Sequence, residues 1–153
     1  MAARLTGDPD RSAGIYAAVI SGLIAGGAAN FDPWPPVTYI DATARSSAGP
    51  VAVTDVVTSP IPIEVQHRIG EALAGHTEVR FVDDPQSVIQ PDSRVRDSGV
   101  LVTLAPVPPA GRPVRIGARS YVGNLGSKSC TFIVDGAGAH WRVTGTTGVY
   151  AVS

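Results

Sequence analysis

The sequence predicts an α+β domain in which two helices pack on a curved antiparallel sheet that ends in a four-stranded meander. Three observations indicate this class. Apolar residues recur at helical spacing in two early segments, four apolar stretches with short Gly- or Pro-containing connections follow from residue 99 onward, and 44% of the 153 residues are hydrophobic. A chain of this size buries a substantial core. We expect one domain over residues 1–153, with 1–11 as a loose N-terminal arm.

The first predicted helix covers about residues 13–25. Ser12 is a candidate N-cap, the apolar residues after it repeat at intervals of three and four, and Gly26-Gly27 would end the helix. The stretch from 13 to 29 is short for a membrane span and contains four glycines and a serine. We therefore expect a buried helix and a cytoplasmic protein.

The second predicted helix follows Pro60 and Pro62, which suit a helix start. Val65, Ile69 and Leu73 lie four residues apart and form one apolar stripe. Gly75 is the candidate residue just after the helix end, where a left-handed conformation is common.

The strands are predicted from alternating or continuous apolar runs bounded by turn residues. Residues 83–97 are polar and contain two prolines, so we expect a long surface loop there. The other connections are short, with turns at 108–111, 123–126 and 135–138. The predicted strands are 37–42, 51–57, 78–82, 100–107, 114–122, 128–134 and 140–144, the last continued by 149–152.

Alternation within the meander strands separates two faces of the sheet. The helices should cover the apolar face, where Trp141 is expected to anchor the core. The opposite face contains three arginines, an aromatic residue and a histidine, with no Asp or Glu among them in the alternation. The apolar set is Val114, Ile116, Ala118, Val122, Cys130, Phe132, Val134, Trp141 and Val143, and the polar set is Arg115, Arg119, Tyr121, Thr131, His140, Arg142 and Thr144.

Composition excludes several classes of protein. The net charge is −1 without a cluster of basic residues in the sequence, so neither nucleic acid nor an anionic membrane is an expected partner. The lone Cys130 cannot form an intrachain disulfide. One cysteine and three histidines lack the spacing of a zinc site, so we expect no metal and no cofactor.

Two functional classes remain open. The first is a non-catalytic binding or interaction domain whose polar sheet face engages a small anionic ligand or an acidic protein surface, or mediates a homodimer, since guanidinium groups pair with carboxylates and phosphates. The second is a small pocket enzyme, an isomerase, cyclase or hydrolase. A cavity between helices and meander would favour the enzyme, and a filled core would favour the binding domain. The candidate residues are Arg115, Arg119, Tyr121, His140 and Arg142 for binding, and Asp83, Tyr121 and His140 for catalysis.

Three blocks of the sequence are similar to those of a known group of proteins. The blocks EVRFVDDPQSVI, SGVLVTLAPV and HWRVTGTTG resemble a family of small bacterial proteins that share these phrases, over most of the chain after Pro60. No activity and no site residue come with that resemblance. The order of helices followed by a meander is more loosely similar to cystatin-like and NTF2-like domains, which implies a cone between sheet and helices that holds a small molecule.

Overall fold

The computed structural model describes residues 8–25, 33–50, 53–123 and 126–152, with side chains up to residue 148. Two α-helices and eight strands lie in these ranges, together with three short 3₁₀ turns. The elements are α1 (Pro9–Ala25), β1 (Val37–Asp41), β2 (Thr43–Arg45), β3 (Thr58–Pro60), α2 (Ile63–Leu73), β4 (Glu78–Val82), β5 (Val100–Leu104), β6 (Val114–Gly123), β7 (Gly126–Ala137) and β8 (His140–Val152).

Helix α1 begins earlier than the sequence predicted. The side chain of Asp8 accepts a hydrogen bond from the amide of Asp10 at 2.9 Å, and the amide of Ser12 bonds to the carbonyl of Asp8 at 3.0 Å. The N-cap position therefore falls near Asp8, and the prediction of Ser12 was wrong. Residues 9–11 of the predicted arm are helical, while 1–7 lie outside the described residues. The predicted stop at Gly26-Gly27 also lies outside them.

Helix α2 confirms the second helical prediction. Val65, Ile69 and Leu73 are buried along one stripe, as their spacing requires. The helix ends differently from the expectation, because Gly75 does not have a positive φ. The amides of His76 and Thr77 both bond to the carbonyl of Leu73, at 2.9 and 3.1 Å, and this turn leads directly into β4.

The α+β class and the C-terminal meander are confirmed, and the main sheet is mixed rather than wholly antiparallel. Its six strands lie in the order β4-β1-β5-β6-β7-β8, and β1 pairs in parallel with both β4 and β5. Parallel pairs need a long crossover. Helix α2 provides the connection from β1 to β4, and residues 83–99 provide the connection from β4 to β5.

The prediction of a strand over 51–57 is wrong for the residues that the structure describes. Residues 53–57 are exposed and irregular, and 51–52 lie outside the described residues. The strand comes later, as β3, and pairs with β2 in a separate two-stranded ribbon.

Strands β6, β7 and β8 of the meander are longer than predicted, whereas β5 was predicted over 100–107 and ends at Leu104. Strand β7 runs through the turn predicted at 135–138, so that the hairpin turns instead at Gly138 and Ala139. The turn predicted at 123–126 includes two residues, 124 and 125, that are not described. Strand β8 continues without a break to Val152, with register shifts opposite Ser129–Thr131 and Ile133–Val134.

The two helices cover one face of the sheet, as the alternation predicted. Side chains from both layers fill the space between them, and many are fully buried. Examples are Ile15, Val19, Ile20, Ile69, Leu73, Val100, Val102, Leu104, Ile116 and Val134. Trp141 and Val143 pack against this core while remaining half-buried at the β8 edge.

Candidate binding surface

A segment of the chain crosses the middle of the opposite face of the sheet. We call residues 46–50 the crossing segment. A Cβ built at Gly117 on β6 would lie 2.7 Å from Cα of Gly49, and one built at Gly148 on β8 would lie 3.0 Å from Cγ of Pro50. Ala48 in the crossing segment is fully buried. The segment therefore lies on the backbone of the sheet and divides the predicted polar face into two parts.

The loop of residues 83–99 covers the part of this face formed by β4, β1 and β5. Val88 and Val95 from the loop pack on Val37, Tyr39 and Leu101 of the strands, in a second cluster of buried side chains. The face is consequently not solvated as a whole, because two connections of the chain pack on it.

A polar group holds this loop to the sheet. The hydroxyl of Tyr39 donates to the Asp97 carboxylate. Nη1 of Arg80 donates to both the hydroxyl oxygen of Tyr39 and Oδ2 of Asp97, each at 3.3 Å. Burial and the hydrogen bond to Asp97 raise the pKa of Tyr39. The same hydrogen bond, with the Arg80 charge, lowers the pKa of Asp97. Asp97 and Ser98 also have positive φ values of 58° and 53°, so the loop has a strained backbone where it joins the sheet.

The other end of the face, beyond the crossing segment, is open and carries a group of basic side chains. Arg115, His140 and Arg142 are exposed there. Arg142 lies directly across from Asp135 in the β7–β8 ladder. Arg115 pairs with Ile133, which places it diagonally from Asp135, at a typical separation of about 7–8 Å.

Asp135 corrects the expectation that this face lacks a carboxylate. Arg112, from the β5–β6 connection, holds Asp135 through two hydrogen bonds of 2.9 and 3.3 Å. These bonds lower the pKa of Asp135, and the charge of Arg142 lowers it further. Among the described residues, the carboxylate of Asp135 is ion-paired with Arg112, while Arg115 and Arg142 occupy neighbouring positions of the ladder. Within the described part of the chain, Arg115 and Arg142 form no hydrogen bond or ion pair.

The remaining predicted binding residues lie on the far side of the crossing segment. Arg119 donates to the carbonyl of Ser47 at 3.0 Å, and the hydroxyl of Tyr121 donates to the carbonyl of Ser93 at 2.8 Å. Both side chains thus bind the chain's own covering segments. Arg115, His140 and Arg142 thus lie on one side of the crossing segment, and Arg119 and Tyr121 lie on the other.

The three candidate catalytic residues are not brought together. Asp83 follows β4 and His140 begins β8, and these strands form opposite edges of the six-stranded sheet. Five strand spacings of about 4.8 Å separate the two edges by about 24 Å. Tyr121 lies between them on β6, with its hydroxyl bonded to the loop.

Two large open grooves lie outside the core. One, of about 520 Å³, follows the small residues of α1 beside Trp141 and Val143. The other, of about 850 Å³, lies between α2 and β4. Among the described residues, no group of three or more His, Cys, Asp or Glu side chains could hold a metal ion. No helix in the described ranges is long and apolar enough to cross a membrane.

Comparison of the chain with protein-family models, with curated proteins and with solved structures gave no match. Any functional assignment therefore depends on the residues and their geometry.

Two features of this surface were missed in the sequence. Arg112 lies between the turn predicted at 108–111 and the strand predicted at 114–122, and Asp135 lies in the turn predicted at 135–138, so strand alternation could not place either on the sheet face. Their pairing across 23 residues follows from the β6–β7 hairpin. The crossing segment could have been suspected from Gly49 and Gly117, because a glycine inside a strand often marks a close approach of backbone.

Proposed function

We propose that this protein is a non-catalytic binding domain that engages an anionic group, on a small ligand or an acidic protein surface, at the open end of its sheet. The observation that carries the proposal is the arrangement of Arg112, Arg115 and Arg142 around the single carboxylate of Asp135. Since Arg112 already pairs with Asp135, the guanidinium groups of Arg115 and Arg142 remain available to a ligand. Exposed His140 borders the same patch.

The chemistry of the patch favours carboxylate or phosphate. A guanidinium group offers a planar set of donors that matches either anion through two parallel hydrogen bonds. We define the anion patch as Arg115, His140 and Arg142. Arg119 and Tyr121 are not included, because both bond to the segments that cover their part of the sheet.

A binding role is favoured over the pocket enzyme by the packing of the interior. The space between the helices and the middle of the meander is occupied by fully buried apolar side chains, whereas the two large grooves open to solvent at the edges of the sheet, one between α1 and β8 and the other between α2 and β4. Asp83 and His140 also lie too far apart to act on one substrate. The proposed location is the cytoplasm, consistent with the lone buried thiol of Cys130.

The test compares two charge-reversal variants in titrations with citrate, pyrophosphate and a hexaglutamate peptide, followed by amide NMR shifts. The wild type should show saturable shifts around Arg115 and Arg142 that weaken as salt increases. Arg115→Glu/Arg142→Glu should lose them. The matched control is Arg94→Glu/Arg96→Glu, which makes the same change of charge on the exposed loop, and it should bind like the wild type.

The three probes distinguish the form of the ligand. Binding of citrate or pyrophosphate at the anion patch indicates a small anion, and binding of hexaglutamate alone indicates an acidic protein surface. If the wild type binds none of them, or if the double reversal in the patch binds as tightly as the control, the proposal fails.

A further inference from the structure

The second groove lies beside an open edge of the sheet. Strand β4 ends the six-stranded sheet, and helix α2 runs beside it on the core side. Val79 and Phe81 point to that side and are half-buried in the groove wall. The groove, of about 850 Å³, therefore has a strand edge on one side and a helix on the other.

The hydrogen-bonding groups of β4 can be assigned to one side or the other. The amide of Glu78 bonds to the carbonyl of Pro36, and the carbonyl of Val82 accepts from the amide of Ala42, so both residues face β1. In a strand, successive residues direct these groups to opposite sides. The amides and carbonyls of Val79 and Phe81 consequently face outward, along the open edge.

We propose that this edge and groove bind an extended peptide segment of a partner protein by strand addition to β4. The outward groups of Val79 and Phe81 would form the ladder, and alternate apolar side chains of the peptide would fill the groove against α2. Such a ladder requires an extended chain with free amides, which a small molecule does not offer. This site is on the opposite face from the anion patch and is independent of it.

The charges at the groove define the chemistry of the peptide. The turn after α2 reverses the chain, so the end of the helix lies near the start of β4. Four helical residues and two strand residues span similar lengths of about 6 Å, which places exposed Glu71 near Val79 and His67 near Phe81. Glu71 therefore lies at one end of the groove, whereas the side chain of Glu78 points to the opposite face and pairs with Arg80. The peptide should carry a basic residue at that end.

A second copy of the chain fits the edge less well. Two β4 strands paired antiparallel through Val79 and Phe81 would place Arg80 opposite the Arg80 of the other copy. Like charges directly opposite each other destabilise a strand pair. This repulsion favours a peptide of a partner protein as the occupant.

The probe is a fluorescent peptide, acetyl-Val-Thr-Val-Thr-Val-Lys-Lys-amide, measured by anisotropy and by hydrogen exchange at Val79 and Phe81. Gly70 lines the groove, and a Cβ built there meets no atom within 4 Å, so Gly70→Phe should fill the groove without a clash. The matched control is Gly75→Phe, because Gly75 is equally unobstructed and is not part of the groove lining. Thermal melts confirm that both variants fold.

We expect saturable binding with slowed exchange at the two amides. Gly70→Phe should weaken binding by at least about tenfold, a change of about 1.4 kcal/mol, while Gly75→Phe should have no effect. Glu71→Lys should weaken binding of the lysine peptide and strengthen binding of the same peptide ending in two glutamates. A peptide N-methylated at alternate residues should not bind, since its ladder amides are blocked.

Three results would overturn the proposal. The wild type does not bind the peptide, or the N-methylated peptide binds equally well, which would show an apolar contact without strand pairing. The third is a wild-type dimer by sedimentation that Gly70→Phe converts to monomer, which would identify a second copy as the occupant.

Discussion

The crossing segment leads to a paired prediction in which the same chemical change has opposite effects at two glycines. Gly117→Ala would place a Cβ 2.7 Å from Cα and 2.8 Å from the amide nitrogen of Gly49. Both are backbone atoms, so the segment would have to move by about 1 Å to restore an ordinary contact. Gly70→Ala on α2 meets no atom within 4 Å.

The magnitudes follow from these contacts. Overpacking costs about 1–3 kcal/mol, and the smaller entropy of the unfolded chain offsets about 0.4–1 kcal/mol of it. Gly117→Ala should therefore lower the free energy of unfolding by about 1–2 kcal/mol, and the movement should also weaken the bond from Arg119 to Ser47. Gly70→Ala should raise the free energy of unfolding by about 0.5–1 kcal/mol, because glycine is unfavourable inside a helix.

Urea denaturation and thermal melts measure both effects. In a chain of this size about 1 kcal/mol corresponds to about 2–4 °C in Tm, so the two variants should lie on opposite sides of the wild type. A Gly117→Ala variant at least as stable as the wild type would refute the close packing of the crossing segment on β6. If Tm changed by the same amount in the same direction in both variants, the space around each glycine would not be what determines the effect of the added methyl group.

Three further predictions concern single side chains. In Tyr39→Phe, the pKa of Asp97 should rise toward its ordinary value of 3.8, as measured by NMR, and hydrogen exchange in residues 83–99 should quicken; an unchanged pKa would contradict the hydrogen bond. Because that pKa is lowered in the folded state, its stabilising effect is present above the unfolded pKa and is lost as pH falls through the folded one, so wild type and variant should converge in acid. Trp141→Ala should cost about 2–3 kcal/mol in urea melts, below the usual 3–5 kcal/mol for a fully buried aromatic, because Trp141 is half-buried; a loss below about 1 kcal/mol would place it in solvent. The Cys130 thiol, whose pKa is raised by burial, should react with Ellman's reagent only on unfolding, and labelling of the native protein at the rate of free cysteine would contradict its burial.

Local stereochemistry explains why the sequence alone determined much of this fold. Helical spacing located α2, since Val65, Ile69 and Leu73 can share one buried face only in a helix. The period of two in β6 and β7 assigned Ile116 and Phe132 to the core side, where both are buried. These inferences require only the geometry of one element, which neighbouring residues specify.

Tertiary structure decided which parts of the opposite face stay open. Arg115 and Arg119 share that face by alternation and both are exposed, yet Arg119 bonds to Ser47, 72 residues away, while Arg115 has no such bond among the described residues. Likewise the partner of Tyr39 is Asp97, 58 residues away, in a loop with no regular period. The alternation of side chains along a strand predicts only the face of the sheet on which each side chain lies. The covering of that strand depends on packing between distant segments, and no local pattern in the sequence encodes it.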